Sequence, residues 1–179
     1  MLDEKRIKEV ESNVKRFIDN GMIKKQKNET AKIMYIKNSE LSLETAKNLL
    51  SIESPTYKPY LWVIVCSYYS MYYISNAVLL DIGYKIGEEI SHKVTSDALI
   101  VFIRNKLKKG LLEEYETIKD DALEIISSKA DSIIQSFDFE REKRSKFQYE
   151  MGEEVKKGKA LTSLERAKDF VFEMKKLIL

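Results

Sequence analysis

Pro59–Leu80 reads PYLWVIVCSYYSMYYISNAVLL, and no charged residue interrupts it, although Asp, Glu, Lys and Arg make up 34% of the 179-residue chain. Wound as a helix, the stretch is apolar or aromatic on nearly every side, the pattern of a helix enclosed by others. Its length would also suit a membrane span. Against a span, Ser67, Tyr68, Tyr69, Ser70, Tyr72, Tyr73, Ser75 and Asn76 would carry polar groups through the hydrocarbon. Spanning helices gather their aromatic residues at the ends instead. The sequence therefore predicts a buried central helix and no membrane partner.

Outward from it, the segments on both sides show helical periodicity. Two prolines, Pro55 and Pro59, separate the central helix from a preceding one over about Thr30–Ile52. The stripe of that preceding helix is Ala31, Met34, Tyr35, Leu41, Ala46, Leu49 and Leu50, with the small or polar Asn38, Ser42 and Thr45 beside it for close approach. Before it, Ile7, Val10, Val14, Phe17 and Ile18 mark a helix over Asp3–Asp19, stopped by Asn20-Gly21. The run KKQKN, Lys24–Asn28, reads as a solvated connector.

On the C-terminal side, Gly83–Ser91 reads as a loop. A helix over His92–Lys109 turns Leu99, Phe102, Ile103 and Leu107 inward and is closed by Gly110. A long periodic segment, Glu113–Glu150, shows one face from Ile118 through Ala122, Ile125, Ile126, Ile133 and Ile134 to Phe137. It would measure about 55 Å if straight. Such a helix must bend, break near Ser127-Ser128 or overhang into a partner. Gly152–Ala160 reads as a charged loop, and Thr162-Ser163-Leu164-Glu165 as a capping box opening the last helix. No segment alternates like a strand. The expected fold class is all-α: four core helices in an up-down bundle with additional peripheral helices.

The totals agree with one domain. Gly 6 and Pro 2 leave little for the turns of a many-stranded sheet, and 31 basic against 29 acidic residues give a net charge of only +2. Bulk charge thus does not advertise a nucleic-acid binder, which leaves a local patch. A single cysteine permits no intrachain disulfide and suggests a cytoplasmic protein. The charged N-terminus MLDEKRIKEV lacks a signal-peptide core.

Most chemical constellations are missing. One histidine, His92, and one cysteine, Cys66, exclude histidine-clustered or thiolate metal sites, and no phosphate loop or nucleophile elbow is present. No metal or cofactor is implied. Cys66 lies in the most apolar stretch, where thiols are packing groups, and His92 at a helix start reads as structural. Tyr68 with Tyr72 and Tyr69 with Tyr73 form two ridges. They serve either as interior packing with bonded hydroxyls or as a surface for stacking a base. The basic run Arg141-Glu142-Lys143-Arg144-Ser145-Lys146 is the stronger candidate. Arg144 falls in phase with Ile126 and Phe137 on an ideal helix, and an inward guanidinium needs an acid, a phosphate or a cleft. A structural ion pair and an anion-binding cleft are both open readings.

Taken together, Ser67-Tyr68-Tyr69-Ser70-Met71-Tyr72-Tyr73, Ile90-Ser91-His92-Lys93-Val94, the turn Gly110-Leu111-Leu112 and a closing Arg144-x4-Tyr149 resemble the HEPN domain family. These are small α-helical proteins common in prokaryotic toxin–antitoxin and nucleic-acid defence systems. The resemblance covers residues 30–179 as a HEPN-like bundle and leaves 1–29 as an N-terminal helical extension. It implies a homodimer with its arginine motif lining a cleft between protomers. It also implies binding of RNA or nucleotide phosphate, and in a paired system a minimal nucleotidyltransferase as partner. Arg144, Arg141 and Tyr149 are the implied binding residues, with Arg144 and Tyr149 the catalytic pair if the chain is a ribonuclease. Ribonucleolytic members carry histidine where this chain has Tyr149. A phenol of pKa about 10 is a poor general base near neutrality. The alternatives are a ribonuclease of unusual motif and a non-catalytic protein-interaction module.

Overall fold

The computed structural model describes residues 3–54, 56–137 and 152–178, with the backbone alone at 128–137. Its elements run α1 (Glu4–Asp19), β1 (Ile23–Lys25), α2 (Glu29–Leu50), α3 (Tyr60–Asp81), β2 (Tyr84–Ile86) and α4 (Ser91–Phe102). A short 3-10 turn (Arg104–Lys106), α5 (Leu111–Phe137) and α6 (Glu153–Lys175) complete the chain. The charge-free stretch becomes α3, and it is the centre of the molecule. Val63, Ile64, Tyr68, Met71, Ile74, Ala77 and Leu79 have no solvent exposure. Among the described residues α3 alone is long and apolar enough to cross a membrane, but 78% of its most apolar window is buried inside the protein.

Around α3 lie α2, α6 and α5, with α4 touching it less extensively. Polar links at the helix surfaces give the directions. Lys32 near the start of α2 bonds Asp81 at the end of α3 (2.9 Å), so these two are antiparallel. Lys159 pairs with Asp121 (3.0 Å) and Arg166 with Glu114 (3.8 Å), which makes α5 and α6 antiparallel. Helix α1 packs on α4 and contributes Val10, Val14 and Phe17 to the same core. It is capped by Asp3, whose carboxylate accepts from Arg6 N (2.7 Å), as Asn28 caps α2 through Ala31 N (2.9 Å).

Four expectations need correction. The first is the absence of strands: β1 and β2 form an antiparallel pair in which Ile23 faces Ile86, Lys24 faces Lys85 and Lys25 faces Tyr84. Burial of Ile23 and Ile86 holds the ribbon to the core, while three-residue strands rich in lysine are too short to show alternation. The connector KKQKN and the loop Gly83–Ser91 thus each contain a strand. Gly83, at φ +93, makes the left-handed turn between α3 and β2.

The second concerns α6, which starts at Glu153 rather than Thr162, so Thr162 and Glu165 lie inside a helix and cap nothing. The inward row Ala160, Ser163, Leu164 and Ala167 carries the helix N-terminally past Gly158, where an added Cβ would meet open space. The third is α4, which stops at Phe102 and continues only as the 3-10 turn. The fourth is part of the face of α2. Met34 and Leu41 are 59% and 55% exposed and Ser39 is buried instead, whereas Ala46 is buried as expected and Tyr35, Leu49 and Leu50 pack against the core. Helix α5 passes unbroken through Ser127-Ser128 to Phe137. The remainder of the expected long helix, to Glu150, lies outside the described residues.

Candidate functional site

The second turn of α3 onward carries four tyrosines in six residues, and the fold sorts them. Tyr68 points into the core, with no exposed surface, while Tyr69, Tyr72 and Tyr73 are half-buried. Tyr68 Oη lies 2.6 Å from His92 Nδ1 at the start of α4. Burial, followed by the neighbouring Tyr115, drives the Tyr68 pKa far above its ordinary value, so the phenol keeps its proton and shares a hydrogen bond with Nδ1 whose direction follows the imidazole tautomer. The contact holds the ring through Nδ1 and leaves Nε2 as its second polar atom. The His92 pKa is lowered, first by burial and then by the charge of Lys119 on α5. Tyr72 lies against the imidazole with ring centroids 4.6 Å apart, and Tyr69 meets it edge-on at 6.0 Å. Tyr35 of α2 stacks on Tyr73 at 6.2 Å, extending the aromatic surface across to the next helix.

The backbone entering this site is strained. Ile90, immediately before α4, sits at φ 41, ψ 33, a left-handed conformation that a β-branched residue adopts at a cost of about 1–3 kcal/mol. Its carbonyl accepts the first helical bonds of α4, from Lys93 N and Val94 N (3.0 and 3.1 Å), so the strained residue fixes where His92 starts. Its side chain is exposed and contributes nothing to the core. Ile90→Asn, which tolerates the left-handed region, is expected to gain up to about 1 kcal/mol in denaturant unfolding. A loss of stability would mean that the Ile90 side chain has a packing role.

A second polar cluster joins α1, α4 and α5 behind the site. Asp97 is 1% exposed; it accepts from Asn13 Nδ2 (3.2 Å) and lies 3.6 Å from the Arg6 guanidinium. Arg6 also reaches Glu116 (3.9 Å), whose carboxylate accepts from Ser96 Oγ (3.1 Å). Burial raises the Asp97 pKa, with Arg6, Asn13 and Lys93 pulling it down. Every member has a structural partner, and the cluster clamps α1 onto the bundle.

The sequence-level candidates fare unevenly. Arg141, Arg144 and Tyr149 lie outside the described residues. Tyr68 and Tyr72 do form a ridge, and it packs on His92. His92 is indeed a positioned residue, but its partner stands 24 positions earlier, where no local pattern points to it. Lys119 and Tyr115 went unread because each sits at an ordinary position of an amphipathic helix. Cys66 is a half-buried free thiol whose pKa burial pushes up, the behaviour of a packing group. Among the described residues no three His, Cys, Asp or Glu side chains gather as metal ligands. A cleft of about 630 Å³ near the start of α3 is lined by Ile52, Glu53, Lys58, Tyr60, Lys157 and Leu161. No family model, curated protein or solved structure matches the chain.

Proposed function

We propose that the chain is a homodimer that binds RNA or nucleotide phosphate. His92 and Lys119 supply one part of the site, and Arg144, with Arg141 and Tyr149, supplies the phosphate-binding remainder. The observation that supports this most is the held imidazole: half-buried, bonded through Nδ1 to Tyr68, its pKa lowered by burial and by the charge of Lys119 on α5. An imidazole held near a lysine suits a phosphate oxygen, and Tyr72 against it offers a ring face for a base. The basic run Arg141–Lys146 follows α5 in sequence and brings a planar guanidinium, which binds phosphate through two parallel hydrogen bonds. The resemblance to HEPN domains agrees with this reading and adds a minimal nucleotidyltransferase as the partner expected of a paired system.

The test is an RNA-binding and cleavage assay across salt concentrations. Wild type is expected to bind with an affinity that falls as salt rises. Arg144→Ala should weaken it about tenfold or more, and Lys119→Ala severalfold, by loss of charge-assisted contacts. Cleavage abolished by Arg144→Ala would make the chain a ribonuclease of unusual motif. Absence of RNA binding, or binding indifferent to Arg144, would overturn the proposal. A non-catalytic interaction module is the second reading, and one observation favours it: Met34 and Leu41 of α2 and Trp62 of α3 are large apolar side chains left exposed.

A further inference from the structure

Helix α1 lies outside the stretch that resembles a known family, yet its polar contacts lead to the two helices that carry the candidate site. Arg6 Nη2 lies 3.6 Å from Asp97 on α4 and 3.9 Å from Glu116 on α5, so one guanidinium faces carboxylates of two different helices. Its Nη1 donates to Glu9 within α1 (3.2 Å). Glu116 in turn accepts from Ser96 Oγ (3.1 Å), a direct bond between α4 and α5.

Helical spacing ties that bond to the site. Ser96 follows His92 by four residues on α4, and Glu116 precedes Lys119 by three on α5. On each helix the bonded residue and the site residue therefore share a face, about one turn apart. Helix α4 packs far more extensively on α1 than on α5, so α1 is its main support and the Ser96–Glu116 bond its chief polar link to α5. The arrangement depends on the Arg6 charge. Asp97, 1% exposed, and Glu116 face each other across the α4/α5 seam and repel. Asn13 bonds Asp97 (3.2 Å) but brings no charge, and Lys93 acts on Asp97 from α4 itself, so neither draws the two helices together. The Arg6 guanidinium, facing both carboxylates, does.

We infer that Arg6 and Glu116 are positioning residues for the candidate site: through the Ser96–Glu116 bond they hold the start of α4, and with it His92, in place beside Lys119 and Tyr72. The N-terminal helix is then a working part of the site and not an appended extension. The inference rests on the reading of His92 and Lys119 as a site for its functional meaning, while the positioning itself is independent of RNA. A site is only as precise as the shell that supports it.

The test reads the position of the imidazole directly. His92 is the single histidine, and its ring lies against Tyr72 and edge-on to Tyr69. The ring currents of those tyrosines displace the His92 proton resonances from their unfolded-chain values, by an amount that falls steeply with distance. Spectra are taken near pH 8.5, about two units above the ordinary histidine pKa. The imidazole is then neutral in every variant, and loss of a nearby charge does not mimic movement. Arg6→Gln and Glu116→Gln are each expected to remove most of the displacement. Arg6→Lys, which keeps the charge without the fork, should recover part of it. Ser96→Ala deletes only the hydroxyl and should move the resonances in the same direction. Glu11→Gln is the control, since it loosens α1 from Arg104 beyond the far end of α4 (3.8 Å) and should leave them in place. Arg6 is 37% exposed, so its variants retain the fold, which circular dichroism checks. Resonances unmoved in Arg6→Gln and Ser96→Ala would reduce the cluster to a clamp for α1 and overturn the inference. Equal movement in Glu11→Gln would mark a general loosening of α1 and overturn it too. Should wild type bind no RNA, movement of the resonances still supports the positioning, and only the function proposed above falls.

Discussion

Tyr68→Ala is expected to cost about 3–5 kcal/mol of folding stability in denaturant unfolding, the range for emptying a fully buried aromatic position. Tyr68→Phe keeps the ring and removes only the hydroxyl. It should cost about 1–2 kcal/mol, because the half-buried Nδ1 of His92 loses its hydrogen-bond partner. The ratio of the two separates packing from hydrogen bonding at one atom. His92 is the chain's single histidine, so its ring signals in a proton NMR titration are unambiguous. They should titrate below the ordinary value near 6.5, and Lys119→Ala should move the midpoint up by removing a like charge. The sign for stability follows. In the window between the two pKa values the unfolded chain binds the proton and the folded chain does not. Stability therefore falls as pH is lowered from about 6.5 and levels off below the folded value. Comparison with His92→Gln isolates this contribution from that of the carboxylates. A His92 midpoint at or above 6.5 would contradict a half-buried imidazole near the Lys119 charge, and remove the main support for the phosphate reading.

What the sequence discloses and what it conceals divide along physical lines. The core helix is legible because excluding charge over 22 positions is costly to do by accident, and burial is its cause. Helices α1, α2 and α5 are legible from their three-and-four spacing. The β1–β2 pair is not, since its strands depend on each other across some sixty residues, and Ile23, Ile86 and the half-buried Tyr84 are too few to show a pattern. The start of α6 is hidden because Gly152, Gly158 and a run of charges look like a loop. The helix forms there because its packed row begins at Ala160, and tertiary burial overrides a weak local preference. The site is the least legible part. Tyr68 and His92 are visible as residue types, but their 2.6 Å contact, and Lys119 beside it, arise only when α4 and α5 close on α3.

Helix α2 shows the same lesson with a sharper test. Large apolar residues mark its stripe in sequence, and Tyr35, Leu49 and Leu50 do pack against the core, yet its two fully buried side chains are small. Ser39 has no exposed surface, and its Oγ donates to the Ser70 carbonyl at 2.7 Å; Ala46 is equally buried. A serine side chain that reaches the backbone of the neighbouring helix brings the two helices close at that point. Close approach leaves no room for a longer side chain, and an interior packed at crystal-like density does not yield cheaply. Ser39→Leu is therefore expected to lose about 1–3 kcal/mol or more, through overpacking and loss of the buried hydroxyl's bond. Leu41→Ser, although it removes a larger apolar side chain, should change monomer stability by no more than about 0.5 kcal/mol. That measurement is made at nanomolar concentration, where association does not contribute. The reverse order, with Leu41→Ser costly and Ser39→Leu tolerated, would place α2 rotated about its axis with Met34 and Leu41 inward.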